Sequence, residues 1–523
     1  MEFLPLPAVT HWDAAALQSL IHTRLNGDQI IVVSNRAPWS HERIAGQLLA
    51  VRPASGLVTA VEPVVHACNG TWIAQGNSSA DAQWMDSGEV WRAPALPGGL
   101  GYALRRICLS EAERAGHGEG LSNGGLWPLC HMAHTKPRFV ESDWQHYRRV
   151  NQRFAQAVVD EARQNDPVVL VQDYHLALVP QMVRQQLPRA TILSFWHVPW
   201  AHPEQMQACP WLQELMWGLT GSNIMGLQTE QHRRNFEATA ELCGLAADNA
   251  GTSALSDTPQ PAWQAKSYPI SIAWPTPTEV LAQPGVATCK QQAWRQWSLP
   301  WNGKLVVGID RFDYTKGLLE RLLAIEQLLL DQPQWQSSLR FVQVAAPTRE
   351  GLSAYASLRS EVRAEVQRIN KRFGGAADSP IALLDAHQNK EAVNALYRAA
   401  DVCLVTSLHD GMNLVAKEFV AARDDERGVL VLSRFAGAAQ ELQQSLLVNP
   451  YHTVQVAQAL HRALSMSAAE QQLRMRALRK TVRFANVHRW AANLFTDAAN
   501  LREARSPFQR SRMALVARAA SGP

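Results

Sequence analysis

Residues 402–418 read VCLVTSLHDGMNLVAKE. A short apolar, β-branched run leads into a turn at Gly411, and a run of helix formers follows. That order predicts strand, turn and helix. Gly411 permits the tight turn. A helix starting near Asn413 directs unpaired backbone N–H groups and its positive dipole end at an anion, naturally a diphosphate. Glu418 falls about one turn in, where a carboxylate can accept from both hydroxyls of a ribose.

Working outward, the same alternation repeats on both sides. KLVVGID (304–310), LRFVQVA (339–345), IALLDA (381–386) and GVLVLS (428–433) read as buried strands, with helical patterns over 318–330 and 390–400 between them. Earlier in the chain, QIIVVS (29–34), VVLVQ (168–172), TILSFW (191–196) and residues 223–227 do the same. Strands alternating with helices imply parallel sheets. Residues 246–284 interrupt the pattern with Ala, Ser, Thr and Pro, leaving a strand-like SYPISIAW (267–274). The fold class is therefore α/β, with two doubly wound, Rossmann-like domains in tandem. We place the first at 1–275, the second at 276–485, and a terminal helix with a basic, disordered tail at 486–523. Ligands in such sheets sit at the carboxyl ends of strands, so two sheets can share an interdomain cleft.

Composition narrows the function. The chain has 523 residues, 46% apolar and 18% charged, which suits two globular cores. Lys plus Arg number 50 and Asp plus Glu 46, a net charge of +4. Scattered basic residues and so small a charge argue against nucleic acid as a partner. The 7 cysteines are odd in number and lack CxxC spacing, against structural zinc and against a disulfide framework. Pro5, Pro7, His11 and Asp13 break the N-terminal stretch, so no signal peptide is expected. No run of about 18 apolar residues occurs, so no membrane partner is expected. The expected location is the cytoplasm. Oligomeric state is not set by the sequence, and a homo-oligomer is compatible with it.

Further motifs sit at strand ends. In GIDRFDYTKG (308–317), Arg311 and Lys316 can converge on one site and neutralise a leaving diphosphate without a metal. A solvated loop with ion pairs to Asp310 and Asp313 fits that spacing equally. Arg36 closes SNR (34–36) and suits an anion; PASGL (53–57) follows. Asp173 in VQDYH and His197 in FWHVPW can hold sugar hydroxyls, although a buried His satisfied by backbone is the commoner case. Trp127 can stack on a sugar or pack in a core. Arg349 again follows a strand.

Taken together, SNR, LWP, DYH, FWHVP, RFDYTKG and DGMNLVAKE resemble the trehalose-6-phosphate synthases, in that family's order, from about residue 29 to about residue 490. The resemblance implies a two-domain GT-B fold and transfer of glucose from UDP-glucose to glucose 6-phosphate, with retention and with neither metal nor other cofactor. It implies that Arg311 and Lys316 grip the donor diphosphate and that Ser55 and Gly56 line it. Leu414, Val415, Ala416, Lys417 and Glu418 would hold phosphate and ribose, with Gln388 near the base. His197 and Asp410 would orient the transferred glucose, and Arg36, Trp127, Asp173 and Arg349 would hold the acceptor.

The chain departs from the family at three positions. Ser55-Gly56 stands where Gly-Gly is usual, Gln388 where an aromatic is common, and Gly118 where an acceptor-binding Tyr is expected. His117 is the neighbouring candidate to replace that Tyr. A smaller acceptor such as glycerol 3-phosphate is the alternative substrate, and a silent sugar-phosphate-binding paralogue is the alternative from another class. No DxDxT phosphatase motif follows residue 500, so a separate phosphatase is expected to act on the product.

Overall fold

The structure is a computed structural model describing residues 11–25, 27–44, 47–51, 56–76, 81, 91–93, 101–247, 252–253, 256–259, 262–300, 302–374 and 379–520. Its first sheet has eight strands: β1 (Ile30–Arg36), β2 (Thr71–Gly76), β3 (Trp91–Arg92), β4 (Ala103–Cys108), β5 (Val168–Gln172), β6 (Thr191–Phe195), β7 (Ile224–Leu227) and β8 (Gln264–Ser267). Their order is β8-β7-β6-β5-β1-β2-β4-β3, parallel except for the β3–β4 pair. The second sheet has six: β9 (Lys304–Arg311), β10 (Leu339–Ala346), β11 (Ile381–Leu384), β12 (Val402–Val405), β13 (Val429–Ser433) and β14 (Leu446–Val448). Their order is β11-β10-β9-β12-β13-β14, all parallel.

Strand order reverses at β1 in the first sheet and between β9 and β12 in the second. Such switch points open crevices at the carboxyl ends of the strands. Arg36 ends β1 and Arg311 ends β9, so topology alone brings both to crevice mouths. The central strands are apolar on both faces because helices cover both.

Sequence patterning overlooks β2, β3, β4 and β14. Strand β4 reads ALRRIC, and its two arginines break the apolar run. Arg106 is nonetheless buried, with its Nε 3.4 Å from Asp81, and Arg105 pairs with Asp160 and Glu161. The strand expected within SYPISIAW lies earlier, as β8, and ends at Ser267. Pro269 lacks the N–H a ladder needs. Ile270 and Ile272 beyond it are buried in a core that continues into the second domain at Leu305 and Val307.

Helices α1 (Ala14–Arg24) and α2 (Gly56–Cys68) open the first domain, and α3 (Glu141–Glu161) covers one face of its sheet. In the second domain, α4 (Leu318–Asp331) follows β9 and α5 (Leu414–Ala422) follows β12. The last helix, α6 (Val487–Ala520), is continuous through the segment expected to be a tail. It crosses back to the first domain, where Asp497 takes a hydrogen bond from Tyr268 at 2.6 Å and pairs with Lys266 at 2.8 Å. Among the described residues no helix is long and apolar enough to cross a membrane.

Candidate active site

The residues expected to grip the donor lie on the turns after β9 and β12. Asn413, at φ 90°, caps α5 by accepting from the Ala416 N–H at 3.0 Å, which leaves the first amides of that helix to face the cleft. Across the cleft, α2 also begins at its mouth: a Cβ built on Gly56 would lie 3.8 Å from Leu414 Cδ1. Two helix N-termini therefore face one space, an arrangement suited to an anion. Ser55 lies outside the described residues.

Lys316 Nζ donates to Asp410 Oδ2 at 2.6 Å, and Asn413 Nδ2 donates to the same oxygen at 3.1 Å. Burial opposes ionisation of Asp410, but Lys316 and these hydrogen bonds hold it at about 2. Arg311 makes no hydrogen bond or ion pair among the described residues, so its charge is available to a ligand. Neither cation pairs as a plain solvated loop would: Asp310 binds Arg321 at 2.7 Å and Asp313 binds Arg349 at 3.1 Å.

Glu418 is half-buried and accepts from Tyr397 Oη at 3.1 Å; burial raises its titration above the usual carboxylate range. Leu414, Val415 and Ala416 contribute the first turn of α5. Lys417 needs a correction, because its side chain is turned into the interior. Its Nζ donates to the Ile270 carbonyl at 2.8 Å and to Glu441 at 2.6 Å, so only its backbone can belong to the segment. Gln388 lies just past the end of β11, where its Nε2 donates to the Ala386 carbonyl at 3.4 Å.

The four residues expected to bind the acceptor, Arg36, Trp127, Asp173 and Arg349, come together. Arg349 comes from the second domain, yet its guanidinium lies 3.9 Å above the Trp127 ring of the first. Its Nη2 donates to Tyr174 Oη at 3.2 Å. Burial, then the charges of Arg311 and Arg349, lower Arg36 to about 10, so three guanidiniums converge on one region. Burial raises Asp173 to about 7 despite the amides and arginines that favour its charged form. Asp173 and Arg349 hold left-handed backbone, at φ 73° and 50°. Such strain in non-glycine residues collects where a site over-determines the backbone.

His197 lies between the two sides. Its N–H donates to Asp173 Oδ1 at 3.1 Å, and its Nε2 is 2.6 Å from Gln172 Oε1. Burial lowers its titration to about 3, so the ring is neutral at physiological pH. A Cβ on Gly411 would lie 2.1 Å from the His197 carbonyl oxygen, so Gly411 lets the second domain approach the first.

His117 does not replace the expected Tyr. It is fully buried, and its Nε2 is 2.9 Å from the His175 carbonyl oxygen. A Cβ on Gly118 would meet nothing within 4 Å, which leaves open space at that position. Sequence reasoning also missed Gln172, Tyr174, Asn123 and the role of Asp313. Their partners are distant in sequence, and only the DYH motif marks Tyr174's neighbourhood.

The model of glycosyltransferase family 20 matches residues 28–500. A trehalose-6-phosphate synthase from Mycobacterium sp. (strain JLS) is 36% identical over 90% of this chain and 96% of its own length. The E. coli structure bound with UDP-2-fluoro glucose is 31% identical with a TM-score of 0.75, covering 90% of this chain and 99% of that one. The UDP-forming synthase from Burkholderia xenovorans in complex with glucose-6-phosphate is 32% identical with a TM-score of 0.74, covering 90% and 100%. With its motifs assembled around one interdomain cleft, the chain belongs to glycosyltransferase family 20.

Proposed function

We propose that this chain is a retaining glucosyltransferase that joins glucose from UDP-glucose to glucose 6-phosphate, giving trehalose 6-phosphate and UDP. One observation carries the reading. Arg311, Lys316 and two helix N-termini face the same cleft as Arg36 and Arg349, so two phosphate groups can be held on either side of a transferred sugar.

Charge develops on the departing diphosphate, and Arg311, Lys316 and the first amides of α5 stabilise it there. Protein cations take the place a metal could fill, so transfer should persist in a chelator. His197 offers a neutral ring to the donor sugar, and Asp410 stands fixed beside Lys316 to receive its hydroxyls. A leaving phosphate oxygen takes the acceptor proton on the same face, so no carboxylate nucleophile is needed, unlike in retaining glycosidases. Arg36 and Arg349 bind the acceptor phosphate, with Trp127 and Asp173 against its sugar.

Gly118, standing where an acceptor-binding Tyr is expected, motivates a second reading, in which glycerol 3-phosphate is the acceptor. UDP release with UDP-glucose and a panel of phosphorylated acceptors, with NMR of the product, separates the two. Release with glucose 6-phosphate and an α,α-linked product supports the main reading. Release with glycerol 3-phosphate alone supports the second, and release with neither refutes both.

A further inference from the structure

Asp313 lies within the RFDYTKG motif, but its side chain has 0% exposure and cannot touch a substrate. Its contacts run in two directions. Oδ1 accepts from the Thr315 N–H at 3.1 Å and from Thr315 Oγ1 at 2.9 Å. The Asp313 carbonyl accepts from the Lys316 N–H at 3.0 Å, which closes the turn that presents Lys316. Oδ2 accepts from Arg349 Nη1 at 3.1 Å. On its far side Arg349 is held by Tyr174 Oη, which donates to Asn123 Oδ1 at 3.0 Å. A single chain of polar contacts therefore runs from the first domain to the turn carrying Lys316.

We propose that Asp313 is a positioning residue shared by both half-sites: one oxygen sets the turn bearing Lys316, and the other sets Arg349, so that one carboxylate fixes the spacing of the two phosphate grips. This rests on the roles given above to Lys316 and Arg349. Burial opposes ionisation of Asp313, but Arg349, Arg311 and Lys316 outweigh it and hold the carboxyl below its ordinary range. A buried ion pair can also be a stability device only. The two roles differ in what each arm controls.

The test uses the full chain. In Asp313→Asn the remaining oxygen can still accept from Thr315, while the amide presents a donor to Arg349. The expected result is a KM for glucose 6-phosphate raised at least about tenfold, with kcat changed far less. In an Arg349→Met background the same substitution should change that KM by less than about twofold, because the ion pair it weakens is already lost. Thr315→Val acts on the other arm and should lower kcat and UDP affinity while leaving the acceptor KM unchanged. An Asp313→Asn effect of equal size in both backgrounds, or none in the wild type, overturns the proposal. If Asp313→Asn does not fold, Thr315→Val decides alone: a raised acceptor KM with unchanged UDP affinity overturns it. Calorimetry keeps this test separate from the reaction assignment, using UDP and inorganic phosphate as probes. Should no acceptor support turnover, Asp313→Asn must still weaken phosphate and Thr315→Val must still weaken UDP, or the proposal fails on its own.

Discussion

Lys316 Nζ lies 2.6 Å from Asp410 Oδ2, and both side chains are largely shielded from solvent. Arg311, on the same loop, makes no such pair among the described residues. The two cations assigned to the diphosphate thus differ in what else they do. Lys316 directly compensates a largely shielded carboxylate that it holds below its usual range; Arg311 touches no carboxylate among the described residues and acts only through space, on Asp313 and Asp173.

Removing either cation should lower turnover at least about a hundredfold, the scale seen when one charge-stabilising donor is lost. Stability separates them. Lys316→Ala leaves the largely shielded Asp410 carboxylate without its cation and should lower the melting temperature more than Arg311→Ala does, since Arg311 makes no direct ion pair among the described residues. Steady-state UDP release with parallel thermal melts reads both. Near-normal turnover in both variants, or equal destabilisation, contradicts the assignment.

Asp173 should set an acid limb. It titrates near 7 in the folded chain against an ordinary 3.8. As an ionised acceptor it binds sugar hydroxyls more strongly, so kcat/KM for glucose 6-phosphate should rise with pH through about 7. The linkage sign follows from the raised value. The folded state keeps the proton longer than the unfolded one, so the favourable contribution is full below 3.8 and is lost as pH rises through about 7. Asp173→Asn should flatten the limb and gain melting temperature relative to wild type between pH 5 and 8. Because the substrate's own phosphate titrates near 6, the comparison must be with the variant. An unchanged limb in Asp173→Asn assigns it elsewhere.

Gly411 should be intolerant of even one methyl group. Its Cβ would lie 2.1 Å from the His197 carbonyl oxygen, backbone of the opposite domain that cannot rotate away. Gly411→Ala must separate the domains locally. A shift of about 1 Å in reacting groups costs on the order of a hundredfold in rate. The expected loss is therefore in kcat/KM, with a larger radius of gyration in the presence of UDP. Full activity would mean the cleft does not close at this contact.

How far these features can be read from sequence follows from the same geometry. Strands such as β9 and β12 are buried on both faces, so their apolar runs are unbroken and legible. Strand β4 hides because Arg105 and Arg106 find ion-pair partners only after folding. Arg36, Asp173, Arg311 and Asp410 stand out because parallel strands expose their carboxyl ends at switch points. Tyr174 and Arg349, 175 residues apart, meet only across the closed cleft, and no local pattern encodes that contact. Lys417 misleads for the converse reason: the motif includes it, but its long stem carries the charge inward to Glu441.

The π-helix Arg114–Leu126 offers a last discrimination, between glycines required by packing and one that is not. A Cβ on Gly118 meets nothing within 4 Å, whereas one on Gly125 would lie 2.9 Å from the Arg138 carbonyl oxygen and 2.9 Å from the Phe139 ring. Neither glycine has positive φ, so backbone strain does not decide the outcome. Gly118→Ala should stabilise by about 0.4–1 kcal/mol, because the unfolded chain loses freedom and the folded one accepts the methyl. Gly125→Ala should destabilise by about 1–3 kcal/mol, since backbone must move to admit it. Thermal melts of the two variants give opposite signs. If Gly118→Ala destabilises or abolishes glucose 6-phosphate turnover, the space at that position is needed by the substrate or by a moving element. The open cradle would then belong to the acceptor site itself.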